Sequence, residues 1–323
     1  MPSNTLLKSR QTPLRLIENR VAIAGDNSQL SIYDTYYPAA RVALSSSHLL
    51  YCGMLAGRKI MHGATDTPCD FLPNESFVLA PDQQVLIDFP EARLDSPTTC
   101  MTIEIDRSQV ARVCDMLNTR QPRDGGLPTW DYVPRALHMP HGAPTQALLE
   151  RLIQLYDDDH PDRDALIDLA LDELIVRMLR TQSRELLLEE VRTGDQPRHG
   201  LAAALQWLRD NLSRPLDCGE LARSACMSKA QLYRQFKREI GYTPGEYQQK
   251  LRIDQARDRL TFSSAPITQI CLDLGYRSPS HFSRCFKAAT GLPPSSYRRR
   301  SGQPAIDRDW TPANQPPSVP FAE

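Results

Sequence analysis

Residues 228–247 read SKAQLYRQFKREIGYTPGEY, and residues 278–297 read SPSHFSRCFKAATGLPPSSY. Seven positions are identical at a constant offset of 50 residues: Ser228, Arg234, Phe236, Lys237, Gly241, Pro244 and Tyr247 match Ser278, Arg284, Phe286, Lys287, Gly291, Pro294 and Tyr297. An internal repeat of this kind is typical of a duplicated supersecondary unit. The sequence therefore predicts two copies of one helical unit in the C-terminal third of the chain.

The first copy carries the signals of a helix, a turn and a second helix. Asp217 and Glu220 have the spacing of a capping box that starts a short helix. After a turn, Ser228 can cap a helix over residues 229–240, which Gly241 can end. The sequence predicts a helix-turn-helix whose second helix is free to enter a DNA major groove.

The second copy repeats this order, with a short helix over residues 267–274, a turn at Gly275 and a helix over residues 279–290. Before the repeated segment the offset falls to 49, which predicts one extra residue in the second turn. A helix from Thr243 to about Leu260 joins the copies and is roughly 24 Å long. We expect it to hold the two second helices on successive faces of the major groove.

The outward positions of these two helices are the candidate DNA-binding residues, because apolar residues four apart take the inward positions. Arginine can donate two hydrogen bonds to guanine and glutamine can recognise adenine, whereas lysine serves mainly phosphate. The candidates are Ser228, Lys229, Ala230, Gln231, Tyr233, Arg234 and Lys237 in the first copy, and Ser278, Ser280, His281, Ser283, Arg284 and Lys287 in the second.

Charge is divided unevenly along the chain, although the totals of 38 basic and 39 acidic residues nearly cancel. Residues 199–300 contain 17 lysines and arginines against 8 aspartates and glutamates, a net charge of +9, and the remainder has −10. This division predicts a polyanionic partner for the C-terminal part only.

The N-terminal part shows short apolar runs separated by turn residues, such as residues 49–55, 77–80 and 100–105. Short strands at regular spacing predict a β-sandwich or small barrel. Helices are expected over residues 107–117 and 144–156, with a loop over residues 121–140. Residues 186–198 have the composition of a linker, and the Pro-rich residues 301–323 are expected to be disordered.

The clearest helix of this part covers residues 164–180 and carries an apolar stripe at helical spacing. The stripe fits two interpretations equally, packing against the sandwich or a helix-to-helix contact in a homodimer. The residues proposed for the dimer contact are Leu171, Leu174, Ile175 and Met178.

Five segments resemble the signature of AraC/XylS-type transcription regulators: residues 251–260, 267–270, 275–276, 281–287 and 291–298. The resemblance implies a bipartite site in double-stranded promoter DNA and activation through contact with RNA polymerase. The N-terminal part is similar to the cupin-like effector-binding and dimerisation half of such regulators. The expected fold is thus α+β, with a cupin-like β-sandwich (residues 1–120), a helical dimerisation segment and linker (121–198) and an all-α DNA-binding domain (199–300).

Alternative functions remain open at this point. A pocket lined by Tyr36, Tyr37, Tyr51, Met54, Phe71 and Phe77 would favour a small-molecule effector, but the same residues could simply form a core. Control by a partner protein, or regulation without an effector, is the second possibility.

A metal-dependent cupin enzyme is a remote third possibility, because the sandwich offers only His48 and His62 and no His-x-His pair. No cofactor, metal or catalytic set is predicted. The eight cysteines show no CxxC pair, and no run approaches the roughly 20 apolar residues of a membrane span. A cytoplasmic protein without a membrane partner is expected.

Overall fold

The computed structural model describes residues 14–65, 67–123, 126–193 and 199–301. It contains two compact units, residues 1–123 with 128–183 and residues 124–127 with 184–323. The proposed tail beyond Ser301 and residues 194–198 of the proposed linker lie outside the described residues. No helix in the described part of the chain is long and apolar enough to cross a membrane.

The first unit is built on two antiparallel sheets. The six-stranded sheet has the order β1-β2-β9-β4-β7-β10, and the four-stranded sheet has the order β3-β8-β5-β6. The strands are β1 Asn19–Ala24, β2 Ser28–Thr35, β3 Ala39–Leu44, β4 Leu49–Ala56, β5 Lys59–His62, β6 Cys69–Phe71, β7 Glu75–Leu79, β8 Val85–Phe89, β9 Thr98–Ile105 and β10 Leu137–Pro140.

Strand β9 shows how the alternation of side chains builds two separate cores. Met101, Ile103 and Ile105 face one side of the six-stranded sheet and pack in a cluster with helical residues. Cys100 faces the other side and packs with residues of the four-stranded sheet. The unit therefore has three layers: a small sheet, a large sheet and a layer of helices.

Three helices form the third layer: α1 Arg107–Arg120, α2 Ala143–Asp157 and α3 Arg163–Thr193. Asp106 caps α1 by accepting a hydrogen bond from the Ser108 backbone N–H at 2.7 Å. The expected helices are present, but the predicted loop over residues 121–140 ends in β10. This edge strand pairs with β7 and tolerates Pro140 because its outer side carries no ladder.

The apolar stripe of α3 packs inside its own unit, which corrects the proposed dimer contact. The side chains of Leu171, Leu174 and Ile175 are 0% exposed and that of Met178 is 1% exposed. They share a cluster with Ile32 and Tyr51 of the large sheet. A side chain that is already buried within one chain offers no surface to a second copy.

The second unit is all helical. Its helices are α4 Gly200–Asp210, α5 Cys218–Ser224, α6 Lys229–Gln235, α7 Pro244–Phe262, α8 Ile267–Asp273, α9 Pro279–Thr290 and α10 Pro294–Ser301. Leu187 and Val191, near the end of α3, are buried in its first core with residues of α4, α5 and α6. The unit therefore begins earlier than the boundary predicted at residue 199.

Two helix-turn-helix units lie in sequence within this unit, as the repeat predicts. Phe236 and Tyr247 pack edge to face in the first core, with ring centroids 6.1 Å apart. The repeated pair Phe286 and Tyr297 does the same in the second core, at 5.3 Å. Helix α7 contains 19 residues. It is about 28 Å long, and it supplies side chains to both cores. The α+β fold predicted from the sequence is confirmed.

Candidate nucleic-acid interface

The second helix of the first helix-turn-helix begins at a serine cap and ends at a left-handed glycine. The Ser228 hydroxyl accepts a hydrogen bond from the Gln231 backbone N–H at 3.2 Å. Helix α6 then widens into a π-helical turn over Phe236–Ile240, where the Gly241 N–H donates to the Phe236 carbonyl at 3.2 Å. A π turn adds one residue to the hydrogen-bonded ring, so the predicted single α-helix is continuous but not uniform.

The equivalent helix of the second helix-turn-helix, α9, is α-helical throughout. The Ser278 hydroxyl accepts from the His281 backbone N–H at 3.2 Å, and Gly291 ends the helix with φ of +76°. Pro279 occupies the first turn, where a missing N–H costs nothing. Phe282 and Phe286 are fully buried, which fixes the opposite face outward.

The predicted DNA-binding residues all reach the surface of these two helices. Gln231, Ser278 and Ser283 are partly buried. The remaining ones are exposed: Ser228, Lys229, Ala230, Tyr233, Arg234, Lys237, Ser280, His281, Arg284 and Lys287. Each helix therefore presents a continuous polar and basic face.

Arg234 and Arg284 occupy matching positions and have no hydrogen-bond or ion-pair partner within the described parts of the chain. Neighbouring Arg238, by contrast, is held by the buried carboxylate of Glu239 at 2.7 Å. Lys237 lies 3.5 Å from the exposed Glu246 carboxylate, a contact that solvent screens strongly. The two free guanidiniums can donate to a base edge without first breaking an interaction.

Two cysteines contact outward residues of these helices, and sequence reasoning did not assign them a role. The Cys218 Sγ lies 3.1 Å from the Tyr233 hydroxyl, and the hydrogen bond between them raises the pKa of Tyr233. The Cys285 Sγ lies 3.4 Å from Nε2 of His281. Cys218 precedes Tyr233 by 15 residues, so no local spacing indicated this contact.

The turns of the two units differ by one residue, as the offset predicts. Four residues separate α5 from α6, whereas five separate α8 from α9. Both turns contain one left-handed residue, Cys226 with φ of +52° and Gly275 with φ of +79°. These two residues are 49 positions apart, which places the extra residue after Gly275.

Two family models match this chain in the order of its two units. A model described as the AraC-type transcriptional regulator N-terminus matches residues 27–186, and a helix-turn-helix domain model matches residues 221–300. The chain belongs to the AraC/XylS family of transcription regulators.

Curated relatives in the AraC/XylS family are similar over part of the chain. It is 30% identical over 172 residues to the HTH-type transcriptional regulator ArgR of Pseudomonas aeruginosa, covering 52% of this chain and 51% of that one. It is 33% identical over 153 residues to the HTH-type transcriptional activator RhaS of Pectobacterium carotovorum, covering 47% and 53%. The match thus spans about half the length of each relative. These relatives are regulators, not enzymes.

Among solved structures, an AraC-type DNA-binding transcriptional regulator from Chromobacterium violaceum is 33% identical. The match covers 35% of this chain and 98% of that one, with a TM-score of 0.31.

The interior of the sandwich in this AraC/XylS-family chain is closely packed around the expected pocket residues. Phe71 and Phe77 stack edge to face at 5.1 Å in the core between the sheets. Tyr51 is buried on the opposite face of the large sheet, and Tyr37 is 45% exposed. The aromatic set therefore does not line one pocket, and Tyr51, Met54, Phe71 and Phe77 are core residues.

A buried lysine is the one charged side chain of the described core between the sheets. The Lys59 Nζ lies 2.7 Å from the Cys100 Sγ, 3.8 Å from the Glu18 carboxylate and 4.9 Å from the centroid of the Phe89 ring. Desolvation opposes its charge, but Cys100 and Glu18 outweigh this effect and raise the pKa of Lys59. The adjoining cavity measures about 10 Å³, room for about one water molecule.

Three histidines of the first unit lie within hydrogen-bond distance of other side chains. His62 lies 2.8 Å from the Asp88 carboxylate, and His138 lies 3.0 Å from the Glu75 carboxylate. Nδ1 of His141 lies 2.8 Å from the Ser76 hydroxyl. Within the described residues, no group of three potential ligands is arranged to hold a metal ion.

Proposed function

We propose that this protein is a sequence-specific regulator that binds double-stranded promoter DNA through α6 and α9, each in a major groove. The observation that carries the proposal is the pair of partner-free guanidiniums, Arg234 and Arg284, at matching positions on the two exposed helices. An unpaired arginine on a helix face suits bidentate donation to guanine. The net charge of +9 over residues 199–300 supplies the attraction to phosphate.

The two helices recognise different half-sites in this proposal, because their other outward residues differ. Gln231 and Tyr233 on α6 correspond to His281 and Ser283 on α9, and Ala230 corresponds to Ser280. Different donors and acceptors favour different bases. The operator bound by one chain is therefore asymmetric.

Selection of bound duplexes from a random pool, followed by affinity measurements on single variants, tests this proposal. Arg234→Ala or Arg284→Ala is expected to weaken specific binding by about 1–3 kcal/mol and to relax selection at one position. Arg209→Ala, an exposed arginine of α4, is the matched control. Failure to enrich any sequence, or equal losses on operator and random duplexes, would contradict base recognition.

Activation through contact with RNA polymerase is proposed by analogy with the relative RhaS, which is a transcriptional activator. Transcription from the selected promoter in a purified system measures the direction of the effect.

A homodimer is also proposed, but through a surface other than the buried stripe of α3. Sedimentation equilibrium of wild type over a range of concentrations tests whether the chain self-associates.

Control by a small-molecule effector is proposed for the first unit, and the buried Lys59 supports it. An ammonium has three donors, but its one described hydrogen-bond acceptor is the weakly accepting Cys100 sulfur. The remaining donors of this buried ammonium are available to an acceptor group of a ligand, which makes Lys59 a candidate for effector binding. The cavity, which Glu18 also lines, holds about one water molecule. A larger effector could therefore enter only if the backbone around Glu18 moved away.

A thermal-shift screen of metabolites against wild type and Lys59→Met separates the two modes of control. A compound that stabilises wild type but not Lys59→Met supports an effector at this site. If no compound shifts the melting temperature while a partner protein binds the first unit, the alternative of control by a protein partner is favoured.

A further inference from the structure

The two helix-turn-helix units meet at a small polar contact beside α7, away from both exposed faces. We call it the joint and define it as residues 212–214, Gln248, Arg252, Gly275 and Tyr276. Residues 212–214 lie between α4 and α5, on the side of the first helix-turn-helix unit. Gly275 and Tyr276 form the turn of the second.

Two side chains of helix α7 hold residues 212–214 through hydrogen bonds to backbone carbonyls. The Arg252 guanidinium donates to the carbonyl oxygens of Leu212 and Arg214, each at 2.8 Å. The Gln248 amide donates to the same two oxygens at 3.5 and 3.1 Å. These hydrogen bonds from adjacent turns of one helix fix this short segment of backbone against α7.

Gly275 brings the second side of the joint into direct contact with this segment. A Cβ built at Gly275 would lie 1.9 Å from the Ser213 carbonyl oxygen and 2.6 Å from its carbon. Backbone therefore packs on backbone, and any side chain would force the two units apart.

The repeat itself supplies a control for this interpretation of Gly275. The equivalent left-handed position of the first helix-turn-helix is Cys226, whose side chain is exposed. A left-handed turn in this motif therefore accepts a residue with a Cβ. Close approach to Ser213, and not the turn geometry alone, requires glycine at residue 275.

Tyr276 connects the joint to the second core. Its ring packs edge to face on Phe282 at 5.1 Å, and the Arg252 guanidinium lies 5.6 Å from its centroid. The Gln249 amide donates to its hydroxyl at 2.7 Å. Arg252 thus contacts both sides of the joint: the carbonyls of residues 212 and 214 beside the first helix-turn-helix, and the Tyr276 ring of the second.

We infer that the joint sets the distance and angle between α6 and α9, so that Arg252 and Gly275 are positioning residues for the spacing of the two DNA half-sites. Helix α7 packs into both cores, but contacts along one line still permit bending of the helix and small shifts of each core against it. A second contact off that line removes this freedom. The inference rests on the proposed DNA binding, but its structural part holds without DNA.

The first test uses no DNA and measures the distance between the two helices in the full chain. Spin labels are attached at Ala230→Cys and Ser280→Cys after the accessible thiols Cys69, Cys218, Cys226 and Cys285 are changed to serine. One narrow distance distribution is expected, and Arg252→Met should broaden it. An unchanged distribution in Arg252→Met would overturn the inference whatever the result of DNA selection.

The second test measures affinity for selected operators whose half-sites are moved apart or together by one and two base pairs. One base pair shifts a half-site by about 3.4 Å and about 35° around the axis. We expect wild type to lose about tenfold affinity per step, comparable to one mismatch. Arg252→Met and Gly275→Ala should bind the native spacing less tightly but lose less than about threefold per step.

Cys226→Ala is the matched control for Gly275→Ala and should follow the wild-type curve. If Arg252→Met binds operators of every spacing more weakly than wild type by one constant factor, its role is purely structural and the inference is refuted. Circular dichroism identifies variants that fail to fold, and Arg252→Met keeps the test decisive if Gly275→Ala does so. Failure of wild type to select any operator would contradict the proposed function, and the distance measurement would still decide the joint.

Discussion

Leu174→Ala tests whether the apolar stripe of α3 is a core or a dimer contact. Leu174 is 0% exposed and lies in the cluster between α3 and the large sheet. Removal of three buried carbons leaves a cavity, which costs about 3 kcal/mol within a usual range of about 2–5 kcal/mol. With a urea m-value of about 2 kcal/mol/M, the unfolding midpoint should fall by about 1.5 M.

Urea unfolding followed by tryptophan fluorescence measures this change. Trp130 shares the cluster with Leu174, so a background with Trp207→Phe and Trp310→Phe reports the first unit alone. The matched control is Leu169→Ala on the same helix, where the residue is 67% exposed. For this control we expect a change in the free energy of unfolding below about 0.5 kcal/mol.

The opposite pattern would refute the packing argument. It would consist of equal urea midpoints for Leu174→Ala and Leu169→Ala, together with loss of self-association in Leu174→Ala alone. Sedimentation equilibrium measures that association on the same samples.

Three further predictions concern charge, a thiol contact and pH. Lys237→Ala should weaken binding to operator and random duplexes alike and reduce the slope of log affinity against log salt by about 1, measured by titration at several salt concentrations. Cys218→Ala, which removes the sulfur 3.1 Å from the Tyr233 hydroxyl, should weaken operator binding by about two- to fivefold, with Cys218→Ser partly restoring it; equal affinities in anisotropy titrations would exclude a positioning role. Burial raises the pKa of Tyr51 to about 12, while an unfolded tyrosine ionises near pH 10. The contribution of Tyr51 to stability is therefore present below about pH 10 and falls by about 1.4 kcal/mol per pH unit from there to about pH 12. Urea midpoints of Tyr51→Phe should lack this part of the decline.

The repeated segment was predictable because its determinants are side chains at fixed local spacing. Ser228 and Ser278 cap the two helices, and Gly241 and Gly291 end them, as their residue types indicate. The π-helical turn after Gln235 carries no such signal, because its hydrogen bonds join backbone atoms alone.

The stripe of α3 shows where sequence reasoning stops. Helical spacing indicates that Leu171 and Leu174 are buried, but it does not identify the surface that buries them. Strand β10 was missed for a related reason, because an edge strand of four residues that ends in Pro140 has the composition of a loop.

The joint could not be predicted from the sequence either. Its acceptors are the backbone carbonyls of Leu212 and Arg214, which every residue type possesses. Arg252 and Gly275 lie in segments of the family signature, but their partners lie 38 residues or more away in the chain.

The burial of Leu187 and Val191 in the helical unit determines where this protein can be divided for study. A fragment that starts at His199, where composition places the domain boundary, would lose both side chains and leave a hydrophobic depression beside α4 open to water. Such a fragment should aggregate and bind DNA poorly for reasons unrelated to its recognition helices. A fragment from Arg184 retains the last turns of α3 and lacks only Leu127 of this core, so it should aggregate far less than the fragment from His199.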